Sequence, residues 1–446
     1  MFRRYRVLAG AVVATALLTA TAVRAEARPS VYWTDQFGSS SFDVGTAIAV
    51  APNGDTVVYG AVAGAVVDGF TAGGPNDLIL AKYNRSGDRK WIVEFGSPAM
   101  EHSTRTIGLA SNGDIIVAGT VVGDSFTGFT LVGSSDVFVA RFNRNGRQLW
   151  LKQYAASDTQ LASAVAVSPS GDIYLAMHSD SAFPDGTSGL TTVFGGFDAV
   201  VTKLDRKGNV KWSRSVGTSG DDAGLGVTVS RRNEVYLVGS TAGELPGTGR
   251  SGGDDDGFIV KFDKSGTQLW QDQSGDVGFD SLTAVTTNAR GEVYAAGSTE
   301  ALHGGNVVGF KDLQGARDGI VVKFDRLGAV LWANQHGTPG IDDDLSIAVA
   351  KNGQVYVGGQ TDGAWTGFSN RGGIDGYVAH LTPAGDTVTA RQFGTSGDDS
   401  NSQFGLGLAM YGNSRVLVTS SVDSTSLWGH ESAGDLDIYV AALPTP

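Results

Sequence analysis

The chain has no cysteine, only six histidines and four methionines, and eleven prolines in 446 residues. Absence of cysteine excludes disulfides, thiol nucleophiles and thiolate metal sites, so stability has to come from packing. Bases are outnumbered: 33 Lys and Arg stand against 46 Asp and Glu, a formal net charge of −13, which makes nucleic acid and anionic membrane poor partners. No His-Glu-x-x-His motif or Walker loop occurs. After residue 27 no apolar run is long enough to cross a bilayer.

What is present begins with Arg3, Arg4 and Arg6, an apolar run from Val7 to Val23, and small residues around Ala25 and Ala27. That order reads as a signal peptide over residues 1–27, which implies export to a periplasmic, extracellular or cell-surface location and a mature chain without a membrane span.

The rest of the chain repeats itself. Trp33, Trp91, Trp150, Trp212, Trp270 and Trp332 recur at intervals of roughly sixty residues, with Ala390 in the seventh place. Asp77, Asp136, Asp198, Asp256, Asp318, Asp375 and Asp437 form a second series, each opening a β-like run such as Asp318-Gly-Ile-Val-Val-Lys. Two independent markers therefore give seven units, with repeats starting near residues 33, 91, 150, 212, 270, 332 and 390.

Turn chemistry divides a unit into four strands, A to D. Thr46–Ala51 and Thr56–Ala63 flank Pro52-Asn53-Gly54-Asp55, and Asp77–Asn84 is joined to Arg89–Phe95 through Arg85-Ser86-Gly87-Asp88; Asn-Gly and Ser-Gly-Asp supply the positive φ that tight hairpins need. Runs such as Val-Tyr-Leu-Val at 235–238 are apolar on both sides, as when both faces of a sheet are covered. Four-stranded sheets set radially meet that demand, so the expected fold is an all-β, seven-bladed β-propeller of four antiparallel strands per blade over residues 31–443. Val31–Phe37 is a lone D strand and Asp437–Leu443 a C strand with no successor. The N-terminal strand is thus expected to complete the last blade and close the ring.

The phrases Phe393-Gly394-Thr395-Ser396-Gly397-Asp398-Asp399, Gly291-Glu-Val-Tyr-Ala-Ala-Gly-Ser-Thr299 and Asp256-Gly-Phe-Ile-Val-Lys-Phe-Asp263 resemble the SBBP family of bacterial seven-bladed β-propeller repeats. The resemblance implies export and a propeller; it carries no catalytic residues. Departures from the repeat are Tyr154-Ala155-Ala156 in place of Phe-Gly-Thr, Ala390 in place of tryptophan, and Tyr411-Gly412-Asn413-Ser414 at the last A–B turn.

In such a meander the A–B and C–D turns share one face and the longer B–C and D–A connections the other, where function usually sits. This loop face is expected to be acidic, from Asp43, Glu101, Asp158, Asp221, Asp222, Asp280, Asp342, Asp343, Asp344, Asp398 and Asp399 among others. Asp254, Asp255 and Asp256, and Asp342, Asp343 and Asp344, are the candidate metal ligands; Ca2+ would suit them, although neither run has a calcium-loop spacing and no cofactor is required. Trp365 and Trp428 lie in B–C loops outside the tryptophan series and are the candidate ligand-binding residues, since an exposed indole stacks on a sugar or aromatic group. A monomeric binding or scaffolding module for a protein or carbohydrate ligand is the leading reading. The alternative is a propeller enzyme, a hydrolase or lyase of extracellular glycans using carboxylates near the central channel.

Overall fold

The computed structural model describes residues 31–446 except 64–73, 185, 187–188, 250–254, 276–277, 301–314, 400–404, 424–426 and 431. The leader read at 1–27 and the candidate ligand Asp254 lie outside the described residues. Among the described residues every regular element is a strand. No helix there is long and apolar enough to cross a membrane.

The strands form seven antiparallel sheets. In the first blade Asp43–Val50, Thr56–Val62, Asp77–Tyr83 and Arg89–Phe95 follow one another as strands A to D. Strand A starts earlier than the turn chemistry suggests, because its first residues pair with strand B as far as Asp43↔Val62. Strands B and C are buried along their whole length. Their alternate side chains feed two apolar clusters, one toward each neighbouring blade, so a blade has no stable surface of its own and the ring is the smallest unit that hides them all.

Ring closure is as expected: Trp33–Phe37 pairs antiparallel with the last strand, from Trp33↔Ala442 to Phe37↔Ile438. It also explains the one missing tryptophan. Each strand-D indole lies on the C–D turn glycine of the following blade, where a Cβ would come within 2.8 Å of Trp212 at Gly266, 2.9 Å of Trp270 at Gly328 and 2.7 Å of Trp332 at Gly385. Those glycines also have positive φ, at 81°, 98° and 96°, so both the turn and the indole exclude a side chain. Trp212, Trp270 and Trp332 donate Nε1–H to a carbonyl of the same turn at 3.1, 3.3 and 3.1 Å. Ala390 should cover the turn of the seventh blade, but there strands C and D are opposite ends of the chain and no turn exists. Nothing is left for an indole to cap.

The second blade is irregular. In most blades strand A carries a single-residue bulge, such as the shift between Gly224 and Gly226. In this one the strand is broken into Met100–Ser103 and Gly108–Leu109. Residues 104–107 stand opposite only Val117 and Ala118. The extra length swings toward the third blade, with Arg105 N donating to Ser163 O at 3.1 Å and Thr106 Oγ1 to Val165 O at 3.0 Å.

Candidate functional site

The acids expected on the loop face mostly turn inward. Asp43, Glu101, Asp222, Asp280, Asp342, Asp343 and Asp399 are all buried, which corrects the picture of a uniformly acidic surface; Asp158, Asp221, Asp362 and Asp398 remain exposed. The cause is in the backbone. Asp222 N donates to Phe197 O at 2.6 Å, Asp280 N to Asp255 O at 2.8 Å, Asp342 N to Arg317 O at 2.9 Å and Asp399 N to Ile374 O at 2.8 Å. Each bond ties the start of strand A to the residue before the strand-C Asp of the preceding blade. Two acids are thereby set side by side at Asp437/Asp43, Asp77/Glu101, Asp198/Asp222, Asp256/Asp280, Asp318/Asp342 and Asp375/Asp399.

Both members of a pair are held by neutral donors. The strand-A acid accepts from the residue four places earlier, as from Thr218 N and Thr338 N, each at 2.6 Å, and from Ser97 N at 3.1 Å. The strand-C Asp accepts from a strand-D glutamine: Gln36, Gln273 and Gln392 reach Asp437, Asp256 and Asp375 at 2.9, 2.7 and 2.7 Å. The glycine of the Phe-Gly-Thr phrase lies over the pair. A Cβ on Gly38 would be 2.5 Å from Asp43 Oδ2 and 2.6 Å from Asp437 Oδ1, and one on Gly337 2.7 Å from Asp342 and 2.8 Å from Asp318. Burial pushes Asp43, Glu101 and Asp399 up to about 7 and Asp342 and Asp198 up to about 6. Because the arrangement recurs around the ring, these raised values mark blade junctions and do not single out a catalytic carboxylate.

The candidate calcium ligands are not gathered round one point. Asp342 caps Thr338, Asp343 bonds Arg317 at 3.4 Å, and Asp344 accepts from Tyr377 at 2.6 Å and pairs with His336 at 3.2 Å. Asp256 is the buried strand-C acid of its blade, and Asp255 gives its carbonyl to Asp280 N. No group of three or more His, Asp or Glu suited to a metal occurs among the described residues.

Neither candidate tryptophan is an open platform. Trp365 is 9% exposed, packs on Tyr377 at 5.2 Å and His336 at 6.0 Å, and takes Gln392 Oε1 on its backbone N–H at 3.0 Å. Leu245 and Phe126 are tied to Gln273 and Gln153 in the same way, so Trp365 belongs to a series of apolar loop anchors that differ too much in type to stand out in the sequence. Trp428 follows the anchor Leu427, adopts φ 52° and is half-buried against Phe393 and Tyr439, each at 5.7 Å.

A cavity of about 230 Å³ opens instead at the loop-face end of the central channel, lined mainly by the first residues of strands A and the last of strands B in blades one to three, with Leu225 from the fourth. Phe42, His102, Arg105 and His178 line it together with the apolar Leu161 and Leu225. Arg105 comes from the irregular stretch of the second blade; its carbons run toward Gly405 of the seventh. Burial lowers its pKa and the field of Asp343 in the sixth blade raises it. His178, pushed down to about 4 by burial and then by Arg105, is a neutral imidazole at pH 7; it packs edge-on to Phe197 at 5.5 Å. Arg105 belongs to no motif and does not stand out in the sequence. The one available signal was the extra residue between Glu101 and Ala110 relative to the third blade, where Gln160 and Ser168 mark the same span.

No family model matches the chain. It is 26% identical over 358 residues to the regulatory protein FlaEY of Caulobacter vibrioides, a match that takes in 71% of this chain and 35% of that protein. The chain thus spans about a third of the length of the curated relative it matches. Among solved structures it is similar to the polysaccharide lyase Uly1, with a TM-score of 0.49, 11% identity and 90% of each chain covered. A puromycin hydrolase gives a TM-score of 0.47 at 12% identity, covering 87% of this chain and 52% of the other. Likeness at that level says nothing about activity.

Proposed function

We propose that this propeller is an exported recognition module that takes its ligand, one group of a protein or a carbohydrate, in the cavity at the loop-face mouth of the channel. The observation that carries the reading is convergence: the broken strand of the second blade, Arg105, His102 and His178 all depart from the seven-fold repeat and all meet in this one cavity. In a repeat protein the shared residues build the frame, and a site is made where copies differ. A cavity of about 230 Å³ accommodates a single side chain or sugar ring. Phe42, 38% exposed at its rim, offers an apolar surface beside the neutral imidazole and the guanidinium. The similarity to a regulatory protein supports recognition over turnover.

The test is a glycan-array and partner-capture screen run in parallel on the native protein and on Arg105→Ala and Phe42→Ala variants of unchanged thermal stability. Ligand retained by the native chain and lost by both variants is the expected result. Retention by both variants, or conversion of a captured glycan to shorter products, overturns it.

A further inference from the structure

We propose that at the six acid–acid junctions the two facing carboxyl groups share one proton, and that this ring of protons fastens the loop-face ends of the blades and loosens as the solution turns alkaline. Three observations carry it. First, Asp437 and Asp43 are both completely buried and direct Oδ1 and Oδ2 at the single spot beneath Gly38, with no room for a side chain between; Asp437 Oδ1 has no hydrogen-bond partner. Two ionised carboxylates so placed repel, whereas a carboxyl donating to a carboxylate satisfies both. Second, the remaining neighbours are donors. Ser39 N and Oγ and Ala63 N serve Asp43, and Gln36 Nε2 and Ala433 N serve Asp437. These donors stabilise an ionised carboxylate and so hold the single charge that the pair keeps when one proton is shared, while burial opposes a second charge.

Third, the chain contains its own control. At the junction of the second and third blades the strand-A acid is Gln160, whose Oε1 still accepts from Ala156 N at 3.1 Å. An amide carries no charge, so this junction holds one acid, Asp136, where the others hold two, and Gln160 Nε2 donates to Ser181 Oγ at 3.1 Å. The glycine over the pair is here Ala155, the only one of the seven phrases in which it is replaced.

The groups facing the other pairs vary from blade to blade. At the strand-D position that glutamine holds elsewhere, the first blade has the buried acid Glu94 and the third has Ser215; the field of His336 lowers the pKa of Asp342, against the larger effect of burial. Burial lifts Asp43, Glu101 and Asp399 from ordinary values of 3.8 or 4.5 to about 7. The folded chain therefore binds more protons than the unfolded chain between pH 4 and 7. Their contribution to stability is complete below the unfolded values and is lost as pH rises through about 7.

The experiment compares the native protein with Asp43→Asn and Gln160→Glu, following melting temperature from pH 5 to 8.5 and the protons released on unfolding. Native protein should lose melting temperature steadily over this range. Asp43→Asn should release about one proton fewer and melt at least as high as the native chain at pH 8, while Gln160→Glu should release about one more. Infrared spectra of the native protein should show protonated carboxyl at pH 6 that disappears by pH 8.5, a readout that stands if a variant fails to fold. Equal proton release by native and Asp43→Asn protein, absence of the carboxyl band, or a Ca2+-dependent gain at pH 8 that Asp43→Asn abolishes would overturn the proposal, the last in favour of a metal.

Discussion

The two ends of most blades solve the same burial problem with opposite chemistry. At the tight-turn end an acid opening strand B meets a base in strand C: Asp55 with Lys82 at 3.2 Å, Asp114 with Arg141 at 2.7 Å, Asp172 with Lys203 at 3.0 Å, Glu234 with Lys261 at 3.1 Å and Glu292 with Lys323 at 3.2 Å. At the loop end acid meets acid. Burial pushes Asp55 and Glu234 upward too, but the lysine and arginine bonds outweigh it and hold both below their ordinary values. Turn-end stability is therefore present above about pH 4.5 and lost as pH falls through the depressed values; loop-end stability is present at low pH and lost on the way to about 7. The molecule should be most stable in mild acid, where both ends are engaged.

The comparison holds only while the ring is closed, so the largest effect should come from removing residues 31–37. That deletion strips the last blade of its outer strand, takes the Gln36 donor from Asp437 and opens a strand edge. We expect a fall in melting temperature of about 10 °C or more; an unchanged transition in calorimetry would break the argument for closure. Next comes Glu234→Ala. Lys261 keeps a side chain only 4% exposed and loses its counter-ion, for which chemical denaturation should record a loss of about 3 kcal/mol. At the opposite end, neutralising Asp43 should cost nothing at alkaline pH. If the two substitutions destabilise alike at pH 8, the ends do not differ in the way described.

A smaller effect separates one loop end from another. Gly38→Ala forces a methyl group against both carboxylates and should cost about 2 kcal/mol. Ala155→Gly, at the junction where Gln160 replaces the acid, should cost only about 0.5 to 1 kcal/mol through chain entropy. Equal losses in urea titrations would mean that the acid pair is not what excludes a side chain at Gly38.

Much of the frame could be read without coordinates, because each marker reports a local rule: Asn-Gly turns, strands apolar on both sides, a tryptophan every blade. The loss of tryptophan at Ala390 was visible too, but its cause depends on the ring closing through the chain ends, a contact between residues about four hundred positions apart. The acids misled for a related reason. Asp342-Asp343-Asp344 and its counterparts look like surface charge or calcium ligands, since a sequence cannot show that a parallel bridge between blades turns one acid against another. Trp365 was conspicuous for its type and proved an ordinary loop anchor, while Arg105 was inconspicuous and reaches the channel only because one inserted residue redirects the strand.

The smallest expected effect tests whether the turn-end pairs act through burial or merely through charge. Asp55 accepts from two lysines: Lys82, whose side chain is 10% exposed, and Lys90, at 2.7 Å but 42% exposed. If proximity decided the matter, Lys90 would count for more. Water screens the exposed ammonium and leaves it mobile, so Lys90→Ala should cost no more than about 0.5 kcal/mol and should lose even that in high salt. Lys82 also donates to Arg144 O of the next blade at 3.1 Å, so Lys82→Ala should cost several times as much and respond little to salt. A double-mutant cycle with Asp55→Asn measures both couplings; a larger coupling for Lys90 would show that the turn end is a surface ion pair, and its contrast with the buried acids of the loop end would disappear.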